Sequence, residues 1–120
     1  KQSEIKDKII DIYKNNFMPP TSDQLSSEIE NEEEEISEVF QALVNEGLLE
    51  KIDYKLYFHK KAINKAENLL INYLKENKEI ELSEFRDLLE SSRKYALPLL
   101  EHFDQKSFLM RDGDKRKLDK

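Results

Sequence analysis

Four cationic side chains flank a glycine turn near the end of this sequence: Arg111, Lys115, Arg116 and Lys117, around Gly113. Some twenty residues earlier stands a second group, Ser92-Arg93-Lys94-Tyr95. Arginine offers a planar fork suited to phosphate, base edges and stacking. A hydroxyl, two cations and an aromatic in a row suit a helix start that receives an anion. The chemistry on offer is therefore non-covalent recognition of an anionic polymer. Asp112 and Asp114 shape the turn between the wing cations and orient the arginines, with a lesser option of accepting from base edges.

Other chemistries lack their residues. The only glycines are Gly47 and Gly113, so no phosphate-cradling loop of the nucleotide-hydrolase kind exists in this stretch. His59 and His102 have no neighbours at ligand spacing, and there is no cysteine, which excludes a disulfide scaffold and a thiolate metal site. No Ser-His-Asp pattern supports nucleophilic catalysis. The sequence thus predicts a non-enzymatic binding module with no cofactor and no metal. No apolar run approaches the roughly 18–20 residues of a membrane span, and no signal peptide is visible. Lys1 in place of Met implies a piece of a longer chain, and the lack of cysteine fits an intracellular, cytoplasmic protein.

The overall charge of −6 hides a gradient. Residues 1–60 hold 7 Lys and 14 Asp or Glu, whereas residues 61–120 hold 13 Lys or Arg and 12 Asp or Glu. Residues 91–120 alone carry 8 basic and 5 acidic side chains. Such asymmetry implies either a local nucleic-acid site at one end or a solvated basic surface.

The elements that must position these residues come from an internal repeat. Sliding the chain by 60 residues superposes the apolar positions without a gap: Ile9 and Ile10 on Leu69 and Leu70, Tyr13 on Tyr73, Leu25 on Phe85, and Ile36, Val39, Phe40 and Leu43 on Ala96, Leu99, Leu100 and Phe103. The reading is two domains, 1–59 and 60–120. Each copy has a first helix (about 3–16 and 61–76), a second (ending near 30, and 83–90), a third (33–46 and 92–105) and two short strands (48–52 with 55–58, and 108–111 with 115–118). Thr21 with Gln24 reads as a capping box, and Ser83 as the N-cap of its counterpart. Residues 79–82 supply a short extra strand. Pro98 implies either a kink or an irregular first turn in its helix.

Three helices and a hairpin make a winged helix-turn-helix, so the fold class is mainly α with small β-hairpins, in two tandem winged-helix domains. The fold leaves function open among DNA, RNA and protein binding. At the start of the third helix the first copy has Glu32 to Glu35, which repel phosphate, and the second has Ser92 to Tyr95. On a period of two, Arg111 and the set of Lys115 and Lys117 can reach past the turn together, while Leu109 and Leu118 pack inward. Tyr95, on the border of its helix, either stacks on a base or is partly buried.

The stretch from Glu84 to Leu118 resembles the C-terminal end of the bacterial selenocysteine-specific elongation factors, the SelB family. The resemblance is carried by Phe85-Arg86-Asp87, Ser92-Arg93-Lys94-Tyr95-Ala96, Leu99-Leu100-Glu101, and Arg111 with Gly113, Asp114 and Arg116. It implies that the fragment is the last two winged helices of such a factor. The last one would hold an mRNA hairpin, SECIS, that directs recoding of UGA as selenocysteine. It further implies that GTP and selenocysteyl-tRNA belong to a part of the factor outside this stretch, and it admits the ribosome as a further partner. The RNA-binding residues it implies are Ser92, Arg93, Lys94, Tyr95, Arg111, Gly113, Asp114, Lys115, Arg116 and Lys117. The alternative is a winged-helix DNA-binding module of a transcription regulator; for residues 1–59 alone, a protein–protein module is a third.

Overall fold

A computed structural model describes residues 2–29 and 33–119. The chain divides into two compact units, Lys1–Ala62 and Ile63–Lys120. The elements run α1 (Gln2–Tyr13), α2 (Ser22–Ile29), α3 (Glu33–Asn45), β1 (Leu49–Asp53), β2 (Leu56–His59), α4 (Lys60–Asn77), β3 (Glu79–Glu81), α5 (Leu82–Leu89), α6 (Arg93–Asp104), β4 (Leu109–Asp112) and β5 (Lys115–Leu118). Each unit is a winged helix. Glu30 and Glu32, at the expected end of α2 and head of the acidic run, lie outside the described residues. No helix among the described residues is long and apolar enough to cross a membrane.

In the first unit, Ile5, Ile9 and Tyr13 recur at helical spacing on α1 and meet Leu25 of α2 and Ile36, Val39, Phe40 and Leu43 of α3 in one buried cluster. The Tyr13 and Phe40 rings pack edge to face, with centroids 5.6 Å apart, and the Tyr13 hydroxyl donates to the Pro20 carbonyl. That bond pins the Pro19-Pro20 break to α1. The capping box on α2 forms in both directions: the Thr21 N–H donates to the Gln24 side chain at 3.0 Å, and the Gln24 N–H donates to the Thr21 hydroxyl at 3.3 Å. Gly47, at φ +82°, ends α3 in the left-handed conformation that a side chain would strain.

The second unit repeats the plan with one addition. Phe103 is fully buried, with Phe85 and Phe108 ring centroids at 6.3 and 6.2 Å. Leu70 and Leu74 of α4, Leu89 of α5 and Ala96, Leu99 and Leu100 of α6 complete the buried set. The extra strand β3 pairs antiparallel with β5, so the sheet order is β3-β5-β4. Helix α5 is capped two residues earlier than the Ser83 N-cap expected from the sequence. Glu81 is the N-cap, and its N–H donates to the Glu84 carboxylate at 2.8 Å. This is the half of a capping box in which the side chain three residues on serves the N-cap N–H, and the Glu81 side chain serves the N–H of Glu84 in return. Pro98 lies inside α6, which runs unbroken from Arg93 to Asp104. Because proline has no N–H, the Lys94 carbonyl cannot receive its usual helical bond, yet the helix holds, with four apolar side chains buried along one face.

Candidate nucleic-acid interface

Ser92 sits in extended conformation, φ −131° and ψ 165°, and its carbonyl accepts from the N–H groups of Tyr95 and Ala96 at 3.1 and 2.8 Å. Helix α6 therefore begins at Arg93, and its first turn carries no acidic residue. Arg93 and Lys94 are exposed there. Two cations at the positive end of a helix dipole are unfavourable until an anion joins them. The Lys94 ammonium lies 5.4 Å from the centre of the Tyr95 ring, which is half-buried, so Tyr95 both packs and offers a rim to the surface.

The wing turns at Gly113-Asp114, between Asp112 and Lys115, which face each other across the hairpin. Gly113 takes φ +64°, as the first central residue of a mirror-image hairpin turn demands. The Arg111 Nε donates to the Gly113 carbonyl at 3.1 Å, which folds the exposed guanidinium over its own turn.

The register corrects one sequence expectation. Arg111 stands opposite Arg116, not among the lysines. Side chains directly opposite each other point to the same face, so Arg111 and Arg116 share the inner face with Leu109, Leu118 and Ile80. Lys115 and Lys117 lie on the outer face with Glu79, Glu81, Met110 and Asp112. A two-residue turn reverses the order along the return strand, so counting alternation straight through it misplaces one side. On the outer face Lys115 pairs with Glu79 at 3.0 Å, and that hydrogen bond and charge hold its ammonium above the ordinary lysine value.

Arg116 departs furthest from its expected place. Its residue is 3% exposed. Its Nε and Nη2 donate to the two carboxylate oxygens of Asp104, at 3.0 and 2.8 Å. A fork bound in this way is not a freely swinging surface cation.

Between α6 and the wing lies a cleft of about 380 Å³. The wing contributes Arg111, Asp114 and Arg116, α6 contributes Arg93 and Leu97, and the start of α5 contributes Glu81, Leu82 and Ser83. Of the ten expected residues the cleft thus gathers four: Arg93, Arg111, Asp114 and Arg116. Ser92, Lys94, Tyr95 and Gly113 border the same two elements without lining it, and Lys115 and Lys117 occupy the other face of the wing. Sequence reasoning missed Glu81, Leu82, Ser83 and Leu97, which only tertiary packing brings to this rim. It also missed Asp104. A carboxylate in the last turn of a helix is unfavourable to the dipole, and that was a signal that it has a partner. Among the described residues, no group of three or more His, Asp or Glu is placed to hold a metal ion.

Three comparisons bear on this geometry. Residues 72–118 match the family model described as "Elongation factor SelB, winged helix". A selenocysteine-specific elongation factor of Desulfomicrobium baculatum is 34% identical over 104 residues, 87% of this chain and 16% of the relative's length. The chain thus spans about a sixth of that relative. Among solved structures, the mRNA-binding domain of elongation factor SelB from E. coli, in complex with SECIS RNA, superposes with a TM-score of 0.81 at 24% identity, over 99% of this chain and 97% of that one. A bacterial selenocysteine-specific elongation factor, EF-Sec, superposes with a TM-score of 0.73 at 23% identity, over 98% of this chain and 18% of that one. At those identities the structural likeness establishes the tandem winged-helix fold. The family-model match falls on the unit that holds the arginine cleft, while the 34% identity runs over 87% of the chain, and that unit belongs to the winged-helix family of elongation factor SelB.

Proposed function

We propose that residues 60–120 bind an mRNA hairpin of the SECIS type and so tether a selenocysteine-specific elongation factor to selenoprotein mRNA, with residues 1–59 as an acidic neighbouring module that stays off the RNA. The observation that carries this reading is the cleft between α6 and the wing, where Arg93, Arg111 and Arg116 converge in a chain of net charge −6. Two similar proteins support it: one is a selenocysteine-specific elongation factor, the other an mRNA-binding domain in complex with SECIS RNA. The site comprises Arg93, Arg111 and Asp114 at the cleft, Ser92, Lys94, Tyr95 and Gly113 at its borders, and Lys115 and Lys117 as outer phosphate contacts. RNA sequence is readable where bases splay out of a helix, because side chains cannot enter the deep A-form groove. A concave site of about 380 Å³, with arginines on opposite walls, suits an extruded base and its phosphates better than it suits a continuous duplex. The winged-helix module performs no catalysis in this reading. GTP and selenocysteyl-tRNA belong to other parts of the factor, the ribosome is a further partner, and the cytoplasm is where it works.

The test is fluorescence anisotropy with a labelled SECIS hairpin and with duplex DNA of equal length. The hairpin should bind more tightly, and changing an unpaired loop base should weaken it. Equal affinity for the duplex would return the molecule to the DNA-binding alternative.

A further inference from the structure

We propose that Asp104 is a positioning residue: its carboxylate, gripping the Arg116 fork, locks the wing to helix α6 and thereby sets the spacing of Arg93 and Arg111 across the cleft. The inference rests on the RNA-binding reading of that cleft. Asp104 is the last residue of α6, and Arg116 is on the central strand of the sheet. The pair therefore joins the two elements that form opposite walls. Both oxygens of the carboxylate are engaged, and the Arg116 side chain is 4% exposed against 18% for Asp104. Two hydrogen bonds from one planar group to another fix an angle as well as a distance, which an apolar contact does not.

The first unit provides the contrast. At the 60-residue offset, Val44 and Leu56 stand where Asp104 and Arg116 stand, and Leu56 is buried. The winged helix thus closes with uncharged residues at these positions. A buried ion pair is commonly no more stabilising than well-packed apolar side chains of similar volume, because desolvation offsets the attraction. Stability alone therefore does not account for the ion pair in the second unit. Orientation does, and the unit that has the pair is the one with the arginine cleft. The remaining walls agree. Arg111 is tied to its own turn through the Gly113 carbonyl, and β5 is hydrogen-bonded on both sides by β3 and β4. The wing is a rigid plate, and Asp104 is where that plate is fastened to the helix.

Two variants test this. Asp104→Asn removes the charge while retaining an acceptor. Asp104→Val with Arg116→Leu copies the first unit and keeps the fold testable should the asparagine variant fail to fold. The first readout uses no RNA. The chain has no cysteine, so spin labels placed by Glu101→Cys on α6 and Met110→Cys on the wing report one helix-to-wing distance. The distribution should be narrow in the parent and broader in both variants. The second readout is affinity for the SECIS hairpin against salt. Affinity should fall about fivefold or more, at the lower end of couplings carried through packed groups. The salt slope should stay unchanged, since no phosphate contact is lost.

Two results would overturn the proposal. If Arg116 itself grips phosphate, the double variant shows a salt slope shallower by about 0.7–0.9, and Asp104→Asn tightens binding by freeing a cation. If the pair is only a structural filler, distance distributions and affinity both stay as in the parent. A parent that fails to bind the hairpin, but whose wing loosens on Asp104→Asn, would support the lock and overturn the RNA reading.

Discussion

Arginines at one site do not have one role. Arg93 and Arg111 present their guanidinium groups at the cleft, and each alanine substitution should weaken SECIS hairpin binding by about 1–3 kcal/mol, the range for a base-reading or bidentate arginine. Lys115→Ala and Lys117→Ala should cost less and affect all RNAs alike, as measured by anisotropy across several hairpins. Arg116→Ala belongs to another class. It leaves the part-buried Asp104 carboxylate without its partner, so in urea denaturation it should lower stability, by less than the about 3–5 kcal/mol of a fully buried pair, whatever it does to binding. Residue types and sequence spacing brought Arg93, Arg111 and Arg116 together as candidates, and the family resemblance added Asp114. They could not tell the exposed arginine from the buried one. That distinction depends on Asp104, twelve residues away, and on a strand register that a reading of alternation through the turn gets wrong.

A histidine gives a further residue-scale prediction. His59 is 3% exposed, and its Nδ1 accepts from the Lys61 N–H at 3.0 Å, capping the start of α4. Burial, aided by the charges of Lys61 and Lys14, holds its pKa below the ordinary 6.5. The unfolded chain then takes up the proton more readily than the folded one. Stability from this group is complete above about pH 6.5 and is lost as the pH falls from there through the folded value. Protonation also converts the capping acceptor into a donor. Urea melts at pH 7.5 and 5.5 should show a larger drop for the parent than for His59→Asn, which retains an acceptor and does not titrate. Equal drops would mean the histidine is not the group responsible.

At the scale of elements, local chemistry was the most legible part. Thr21 and Gln24 form the capping box that their spacing announces, and Gly113 takes the positive φ that its turn requires. The tandem repeat read directly through the second and third helices, where Leu25 with Phe85, and Ile36, Val39, Phe40 and Leu43 with Ala96, Leu99, Leu100 and Phe103, are all buried; in the first helices the buried Ile9 and Tyr13 answer to Leu70 and Leu74, one residue beyond the expected Leu69 and Tyr73. The ends of elements were less legible. Glu81 displaced Ser83 as a cap because strand β3 delivers the chain in extended form directly into α5. Glu90, which closes α5, sits at φ +53°, a conformation natural to glycine and costly to glutamate. Glu90→Gly should therefore raise stability by about 1 kcal/mol, seen as a higher urea midpoint with an unchanged slope. A lower midpoint would show that the glutamate side chain has a stabilising contact of its own.

For the whole molecule, charge is segregated rather than balanced. The acidic half repels nucleic acid while the basic end attracts it, so only a few counterions should be released on binding. Hairpin affinity should fall with salt at a log–log slope of roughly −2 to −5, by the rule of about 0.7–0.9 per neutralised phosphate. A flat response would mean that the arginine cleft does not meet phosphate. Within each unit the separate cores were legible from the repeat. The cleft was not, because it exists only where three elements meet.

The order of the second sheet carries a consequence for how the site comes into being. In the first unit the two strands are neighbours along the chain and can zip from their turn. In the second, β5 must also receive β3, whose paired residues lie more than thirty positions earlier in the chain. Bringing such distant segments together has to be met in entropy before any ladder bond repays it. The first hairpin can therefore form while the second unit is still searching, and the arginine cleft is among the last features to assemble. On refolding, the recovery of hairpin binding should lag the recovery of helix content.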